Sequence, residues 1–598
     1  MMRNVLRALA LMIQISLRAD TPRSIGTVLT AASTRVAQPL RAIGIRTLTD
    51  GVVSANLPLA ISGIALVVGL TMVSRITFWA SFNVRMRLRE STLVYLDTLI
   101  MRLTAGIPGL EHHERPEYLD HVEVIRQERW ALANPFNPIS WTLASVFQVT
   151  GVFALLASVH PLLLLLPLSG IPAVWTTLAG QRAVVALRES QAEPSRRLRH
   201  LQELTTDAAT AKEIRIYGLS NALIRRRREV FDELEHAQVR QGLRNVMAST
   251  AAWGFFGLCF VGAMVFTVQL AAQGLTTVGA VMLVLSLSAQ INNQLSELIW
   301  NLVWLVRTHR AVSRLLWLQD YAAVAHAAMQ APVAGHVPSE LTDGIRLSGV
   351  SFRYPGTQRP VLESVDLYLP AGSTVAIVGE NGAGKTTLTK LLCRFYEPTS
   401  GTIFVDGVDL RTLPIDKWRR RLAAGFQDFA TLQLLARESI GVGQTDKIAY
   451  DQALFGALER AAADDLRPAL PAGLDTQLGR EFEGGVDLSL GQWQKVALGR
   501  AMMREQPLLL ILDEPTASLD APTEHRLFDH FAAAARTTAA TSGAITILVS
   551  HRFSTVRMAD LILVIADGRI VEHGSHAALV QQGGLYAELY GIQARAYR

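Results

Sequence analysis

Cysteine and charge are what this sequence is short of. Only two cysteines, Cys259 and Cys393, occur in 598 residues. That excludes a disulfide framework or a cysteine metal cluster, and both read as small core residues. Only 18% of residues are charged and the mean hydropathy is +0.25, too apolar for an ordinary soluble enzyme. Positive charge is also missing locally. No Lys or Arg lies between Arg129 and Arg182, or between Arg244 and Arg307. Each gap is roughly 50–60 residues, about twice the ~20 that cross the hydrocarbon. Each therefore predicts a hairpin of two spanning helices, turning near His160–Pro161 and near Gln273–Gly274. The net charge of +6 then reads as Lys and Arg in cytoplasmic loops rather than a nucleic-acid footprint.

A further apolar span stands at 57–73. A weaker one at 25–48 contains Arg35, Arg41 and Arg46. Counting both predicts six spans, with the two chain ends on one side of the membrane. The arginine-rich stretches 85–90 and 225–229 place that side in the cytoplasm. Residues 1–20 read as an N-terminal amphipathic segment on the inner membrane surface. Residues 21–317 form the membrane domain, with helices continuing into the cytosol, 318–344 a linker, and 345–598 an α/β domain. The segments 111–122 and 208–221 fall at cytoplasmic turns, and either suits a short helix that touches a partner domain. His112, His113 and His121 match no zinc spacing. The last span carries Gln290, Asn292, Asn293, Gln294 and Glu297, costly in lipid and expected to face protein or a watery path. Trp300 and Trp304 follow at its cytoplasmic end.

The α/β part holds the chemistry. A strand-like run, 373–379, enters Gly379–Glu–Asn381–Gly382–Ala–Gly384–Lys385–Thr386–Thr387, and a helical run leaves it. Strand, glycine loop and helix in that order is the setting a phosphate-binding G-x-x-x-x-G-K-[ST] loop requires. Glycines let successive N–H groups point at phosphate oxygens, and the helix N-terminus adds favourable dipole charge. Lys385 is expected on the β- and γ-phosphates, Thr386 on Mg²⁺, and Thr387 towards the α-phosphate. Downstream, the apolar run 507–515 ends in two acids. Asp513 is expected to hold Mg²⁺ through water, and Glu514 to accept a proton from the attacking water.

The segment 487–501, "DLSLGQWQKVALGRA", resembles the signature of ATP-binding-cassette proteins. Tyr354 in "FRYPG" looks like the aromatic that stacks on adenine. Gln427 in "GFQDF" looks like the Mg²⁺-sensing glutamine. Asp520 closes "ASLD", similar to the loop that crosses to the partner subunit, and His551 looks like the γ-phosphate histidine. Six spans ahead of one cassette resembles an exporter half-transporter. The resemblance implies a homodimer, or a heterodimer with a second half-transporter, in a bacterial plasma membrane. It also implies ATP held between the phosphate loop of one copy and Ser489, Gly491 and Gln492 of the other. Leu490 stands where that signature usually has glycine; its N–H is retained. Parts of the sequence also resemble bacterial exporters of modified peptides. The expected activity is ATP hydrolysis coupled to export of a peptide, drug or amphiphilic natural product, with a lipid flippase or a regulatory half as alternatives.

Overall fold

A computed structural model describes residues 2–134, 136–207, 210–330, 335–515, 521–550 and 552–596. The chain divides into two units. One comprises Met1–Arg102 and Glu123–Trp317, the other Leu103–Val122 and Leu318–Arg598.

The first unit is helical. Helix α1 (Met2–Ala19) buries Ala8, Leu11, Met12 and Ile15, an i, i+3, i+4, i+7 stripe that makes it amphipathic. Asp20 ends it and caps α2 (Thr21–Val53), accepting from the Arg23 N–H at 3.0 Å. Four long helices follow before the last: α3 (Leu57–Ala105), α4 (Asn137–Val159), α5 (Ile171–Ser190) and α6 (Ser220–Ala272). Helix α7 (Val278–Met329) closes the series.

Among the described residues, four segments are long and apolar enough to cross a membrane: Leu57–Ala105, Asn137–Val159, Pro161–Val184 and Ser220–Ala272. Helix α7 opens with a shorter apolar stretch, Val278–Ser288. The weak first span lies within α2, and the reason it is weak is answered inside the bundle. Arg35 is paired with Glu297 of α7, and Arg46 lies 3.7 Å from Asp50. Small residues allow the helices to close up. A Cβ at Gly63 of α3 would lie 2.3 Å from the Leu48 nitrogen of α2. Leu156, Leu163, Phe256, Val284 and Leu287 fill the core between helices. Asp50 ties the far end of α2 to the start of α7. It accepts from the Gly279 N–H at 2.9 Å and from the Thr277 hydroxyl at 3.0 Å.

The second unit is α/β. Strands β1 (Gly344–Phe352), β2 (Leu362–Pro370), β4 (Ser400–Val405) and β5 (Val408–Asp409) form an antiparallel sheet in the order β2-β1-β4-β5. A six-stranded sheet has the order β10-β9-β3-β8-β7-β6. Its members are β3 (Thr374–Val378), β6 (Leu422–Gly425), β7 (Leu509–Asp513), β8 (Ile545–Val549), β9 (Leu561–Ala566) and β10 (Arg569–Gly574). All neighbours there are parallel except β10 with β9. Strands β7 and β8 are buried along their whole length, as unbroken apolar runs in a parallel sheet should be.

The segment 103–122 groups with this second unit. The Leu110 N–H donates to the Phe395 carbonyl at 3.1 Å, and Leu110 packs on the α/β core. The segment contains 111–122, one of the two turns expected to form a short helix that touches a partner domain; short helices stand there at Glu111–Glu114 and Pro116–Gln127, and 103–122 belongs to this unit of the same chain. Beside it, Arg394 donates to the carbonyls of Met329, Arg411 and Leu413 at 3.1, 3.0 and 2.6 Å. In the other turn, Ile216 and Tyr217 stand 80% and 71% exposed at the helix Ala211–Ile216.

Candidate nucleotide site

Parallel strands bring the site together. Ile377 pairs with Val549, Asp513 with Val549, and Leu512 with Gly425. The carboxyl ends of β3, β8, β7 and β6 are therefore level, and ligands of open parallel sheets bind at that edge.

The glycine loop leaves β3 and opens helix α8 (Lys385–Leu392). Gly379 and Gly384 have φ of +154° and +109°. A Cβ on Gly379 would lie 2.2 Å from the Ile565 carbonyl oxygen, so both conformation and space require glycine there. Gly382 turns the loop with φ +83°, next to Asn381. The Lys385 ammonium lies inside the curl, donating to the Gly379 and Glu380 carbonyls at 2.8 and 2.9 Å. Burial lowers its pKa, while the charges of Glu514 and Asp513 oppose that shift. The Tyr354 hydroxyl bonds Thr387 at 3.1 Å, fixing that aromatic beside the loop helix.

Asp513 ends β7, 2% exposed. Burial raises its pKa. Thr386 and Lys385 pull it down, while Glu514 and Asp428 push it up. Neither carboxylate oxygen has a conventional hydrogen-bond partner among the described residues. An orphaned buried carboxylate beside a threonine hydroxyl is an all-oxygen donor set, which fits a hard divalent cation such as Mg²⁺. Gln427 follows β6 on an exposed loop at the same edge.

Glu514 follows with φ +48°, a left-handed conformation held by its N–H donating to the Val549 carbonyl at 2.9 Å. For a non-glycine residue this costs of order 1–3 kcal/mol, and such strain concentrates at functional sites. The buried Gln494 amide donates to the Glu514 carbonyl at 3.3 Å. The sequence reading missed Gln494. Its signal was a glutamine on the buried face of α9 (Leu490–Met502), where an amide needs a partner.

Ser489 and Gln492 form a reciprocal cap at the start of α9, with bonds of 3.3 and 2.9 Å. Gly491 lies in the first turn and Leu490 is 64% exposed. Among the described residues, the Ser489 and Gln492 side chains bond to each other's backbone N–H groups and not to the phosphate loop. Asp520 and His551 lie outside the described residues.

Fold and site define a P-loop nucleotide-binding domain fused behind a helical membrane domain. Residues 362–517 match the ABC transporter family. The chain is 40% identical over 250 residues to the ATP-dependent lipid A-core flippase of Ralstonia nicotianae, covering 42% of this chain and 40% of that protein. It is 39% identical over 240 residues to the subtilin transport ATP-binding protein SpaT of Bacillus subtilis, covering 40% and 38%. In both alignments the chain spans about two fifths of the relative's length. The lipid A-core flippase of Chromobacterium violaceum aligns over 561 residues, 90% of this chain and 88% of that protein, at 29% identity. A solved bacterial Atm1-family ABC exporter with ATP bound matches with a TM-score of 0.77 at 25% identity, over 97% of this chain and 98% of that one. The chain has the exporter fold of an ABC half-transporter, a membrane domain joined to one ATP-binding cassette.

Proposed function

We propose that this chain is an ATP-driven exporter that works as a dimer in a bacterial plasma membrane, with both termini in the cytoplasm. Its cargo is an amphiphile: a modified peptide, a natural product or a drug. The observation that carries the reading is the convergence of the phosphate loop, Asp513 and Glu514 at one sheet edge in a chain whose other unit holds apolar helices. Lys385 and the loop amides bind the phosphates, and Tyr354 stacks on the adenine. Thr386, Asp513 and Gln427 would hold Mg²⁺, which when bound offsets phosphate charge. Glu514 takes the proton of the attacking water, and His551 contacts the γ-phosphate. The partner copy supplies Ser489, Gly491 and Gln492, and Asp520 lies at the crossing loop. ATP favours the closed pair of cassettes over the open one, and that difference in affinity shifts the membrane helices between two states.

A second reading, a lipid flippase of the same build, is supported by the alignment to the Chromobacterium violaceum protein over 90% of this chain. Purified chain in proteoliposomes tests the common ground. It should hydrolyse ATP and move a labelled amphiphile only when ATP is present. No hydrolysis, alone or with a companion half-transporter, would refute ATP-driven transport.

A further inference from the structure

Arg35 of α2 reaches across the bundle. Its guanidinium pairs with Glu297 of α7 and donates to the Gln148 amide oxygen of α4 at 3.2 Å. Gln148, 1% exposed, in turn donates to Gln38. Trp141 of α4 gathers a second cation. The Arg35 guanidinium carbon lies 5.8 Å from the indole centroid, and that of Arg85 of α3 lies 5.0 Å from it. Arg85 has no ion-pair partner among the described residues, so two guanidinium groups here face one carboxylate. Arg85 also packs close to Ser16, in a crevice with no room for a water molecule, and the buried Ser16 hydroxyl has no hydrogen-bond partner among the described residues. The two sides of the ion pair differ. The Arg35 side chain is 13% exposed and that of Glu297 is 49% exposed. The cation is built in, and the anion stands at the rim.

Depth narrows the occupant. Arg35, Trp141 and Glu297 lie 18 or 19 residues from Val53, Val159 and Val278, roughly 27–29 Å at about 1.5 Å per residue, and Arg85 lies 28 residues from Leu57, about 42 Å. The hydrocarbon core is about 30 Å thick. On the orientation proposed above, the cluster therefore sits at the headgroup level of the inner leaflet.

We infer that Arg35 and Arg85, bridged by Trp141, form a cargo site for the anionic headgroup of an amphiphile drawn from the inner leaflet, with Glu297 as the internal anion that the headgroup displaces. This deepens the export reading and rests on it for the direction of movement. Glu297 keeps Arg35 paired while no cargo is bound, avoiding a bare cation at the membrane edge. An incoming phosphate or carboxylate also reaches Arg85, so it gains a partner that Glu297 does not use. Charge-assisted bonds to two guanidinium groups favour that exchange.

The test is binding by the full chain in neutral detergent without nucleotide, which separates it from ATP hydrolysis. The probes are fluorescent phosphatidic acid and phosphatidylcholine with the same acyl chains. The wild type should prefer phosphatidic acid by about tenfold, and Arg35→Gln or Arg85→Gln should lower that affinity by about tenfold. Glu297→Gln should tighten it about threefold or more, because the competing anion is gone. Opposite signs at Arg35 and Glu297 cannot come from general loosening of the bundle. If Arg35→Gln is not monodisperse, Arg85→Gln and Glu297→Gln decide. Equal binding of the two lipids, or weaker binding by Glu297→Gln, would overturn the site. Ethyl phosphate binding as tightly as the lipid would overturn the amphiphile, and tighter binding of dodecyltrimethylammonium would overturn the sign of the charge. A binding failure leaves ATP-driven export standing, and failure to hydrolyse ATP leaves the binding result untouched.

Discussion

Tyr396 donates its phenol hydrogen to the Glu114 carboxylate, joining residues 282 positions apart. The ring is 2% exposed, and it packs against Phe352 and Tyr354 at centroid distances of 5.3 Å each. Tyr354 in turn bonds Thr387 of the phosphate-loop helix. A continuous set of side chains thus runs from the segment 103–122 to the nucleotide loop. Burial and the Glu114 carboxylate both push the Tyr396 pKa up, so the phenol stays protonated and remains a donor.

Removing that hydroxyl should loosen the segment without unfolding the cassette. Tyr396→Phe loses one hydrogen bond to a charged acceptor, worth about 1.5 kcal/mol or somewhat less because Glu114 is exposed. Hydrogen exchange at the Leu110 amide, which donates to Phe395, should speed up about fivefold or more, while β7 and β8 exchange unchanged. An unaltered Leu110 amide would show that the bond holds nothing in place.

His112 makes a pH prediction. It is 2% exposed, neither ring nitrogen has a hydrogen-bond partner among the described residues, and His113 and Tyr118 pack on it at 4.1 and 4.8 Å. Burial first, and the neighbouring His113 second, lower its pKa from 6.5 to about 4. Between those values the unfolded chain takes up a proton that the folded chain refuses. Stability contributed here is therefore present above pH 6.5 and falls as the pH drops towards 4, by about 1–2 kcal/mol at pH 5. Thermal unfolding of the full chain should show a shallower acid decline in His112→Phe, and higher stability at pH 5. Parallel curves for the two proteins would mean that His112 is not the group responsible.

At the nucleotide site two substitutions should part company. Lys385→Ala removes the cation inside the loop and should weaken ATP binding about 10- to 100-fold. Glu514→Gln keeps shape and hydrogen-bonding capacity while removing the base. It should bind ATP within about threefold of the wild type and hydrolyse it about 10²- to 10⁴-fold more slowly. Titration with a fluorescent ATP analogue, beside a phosphate-release assay, reads both. Normal turnover by Glu514→Gln would remove it from the mechanism, and unchanged affinity in Lys385→Ala would count against the loop assignment.

Much of this was legible in one dimension because the determinants are local. The glycine loop needs its residues within nine positions, and its conformation depends on their missing side chains. Asp513 and Glu514 were legible because a strand buried on both faces must deliver its last residues to the sheet edge. The first membrane hairpin was legible because hydrocarbon excludes Lys and Arg over a length set by the bilayer, and both of its arms are long apolar helices, whereas the second hairpin has one such arm and a shorter apolar stretch, Val278–Ser288. Gln494 was not, since only packing shows that its amide meets the Glu514 carbonyl.

By itself, then, the order of residues determined which stretches meet lipid and which loop curls around an anion. Each depends on residues adjacent in the chain, or on solvent alone. Tertiary structure alone decided the pairs. Arg35 is visibly out of place in an apolar helix, yet that its answer is Glu297, 262 residues away, follows only from how α2 and α7 pack. Likewise the sequence marks 111–122 as a turn suited to meet another domain, but that Leu110 and Glu114 find Phe395 and Tyr396 follows only from the fold. A charge or an unpaired amide announces a need locally, and the partner that meets it is chosen by the fold.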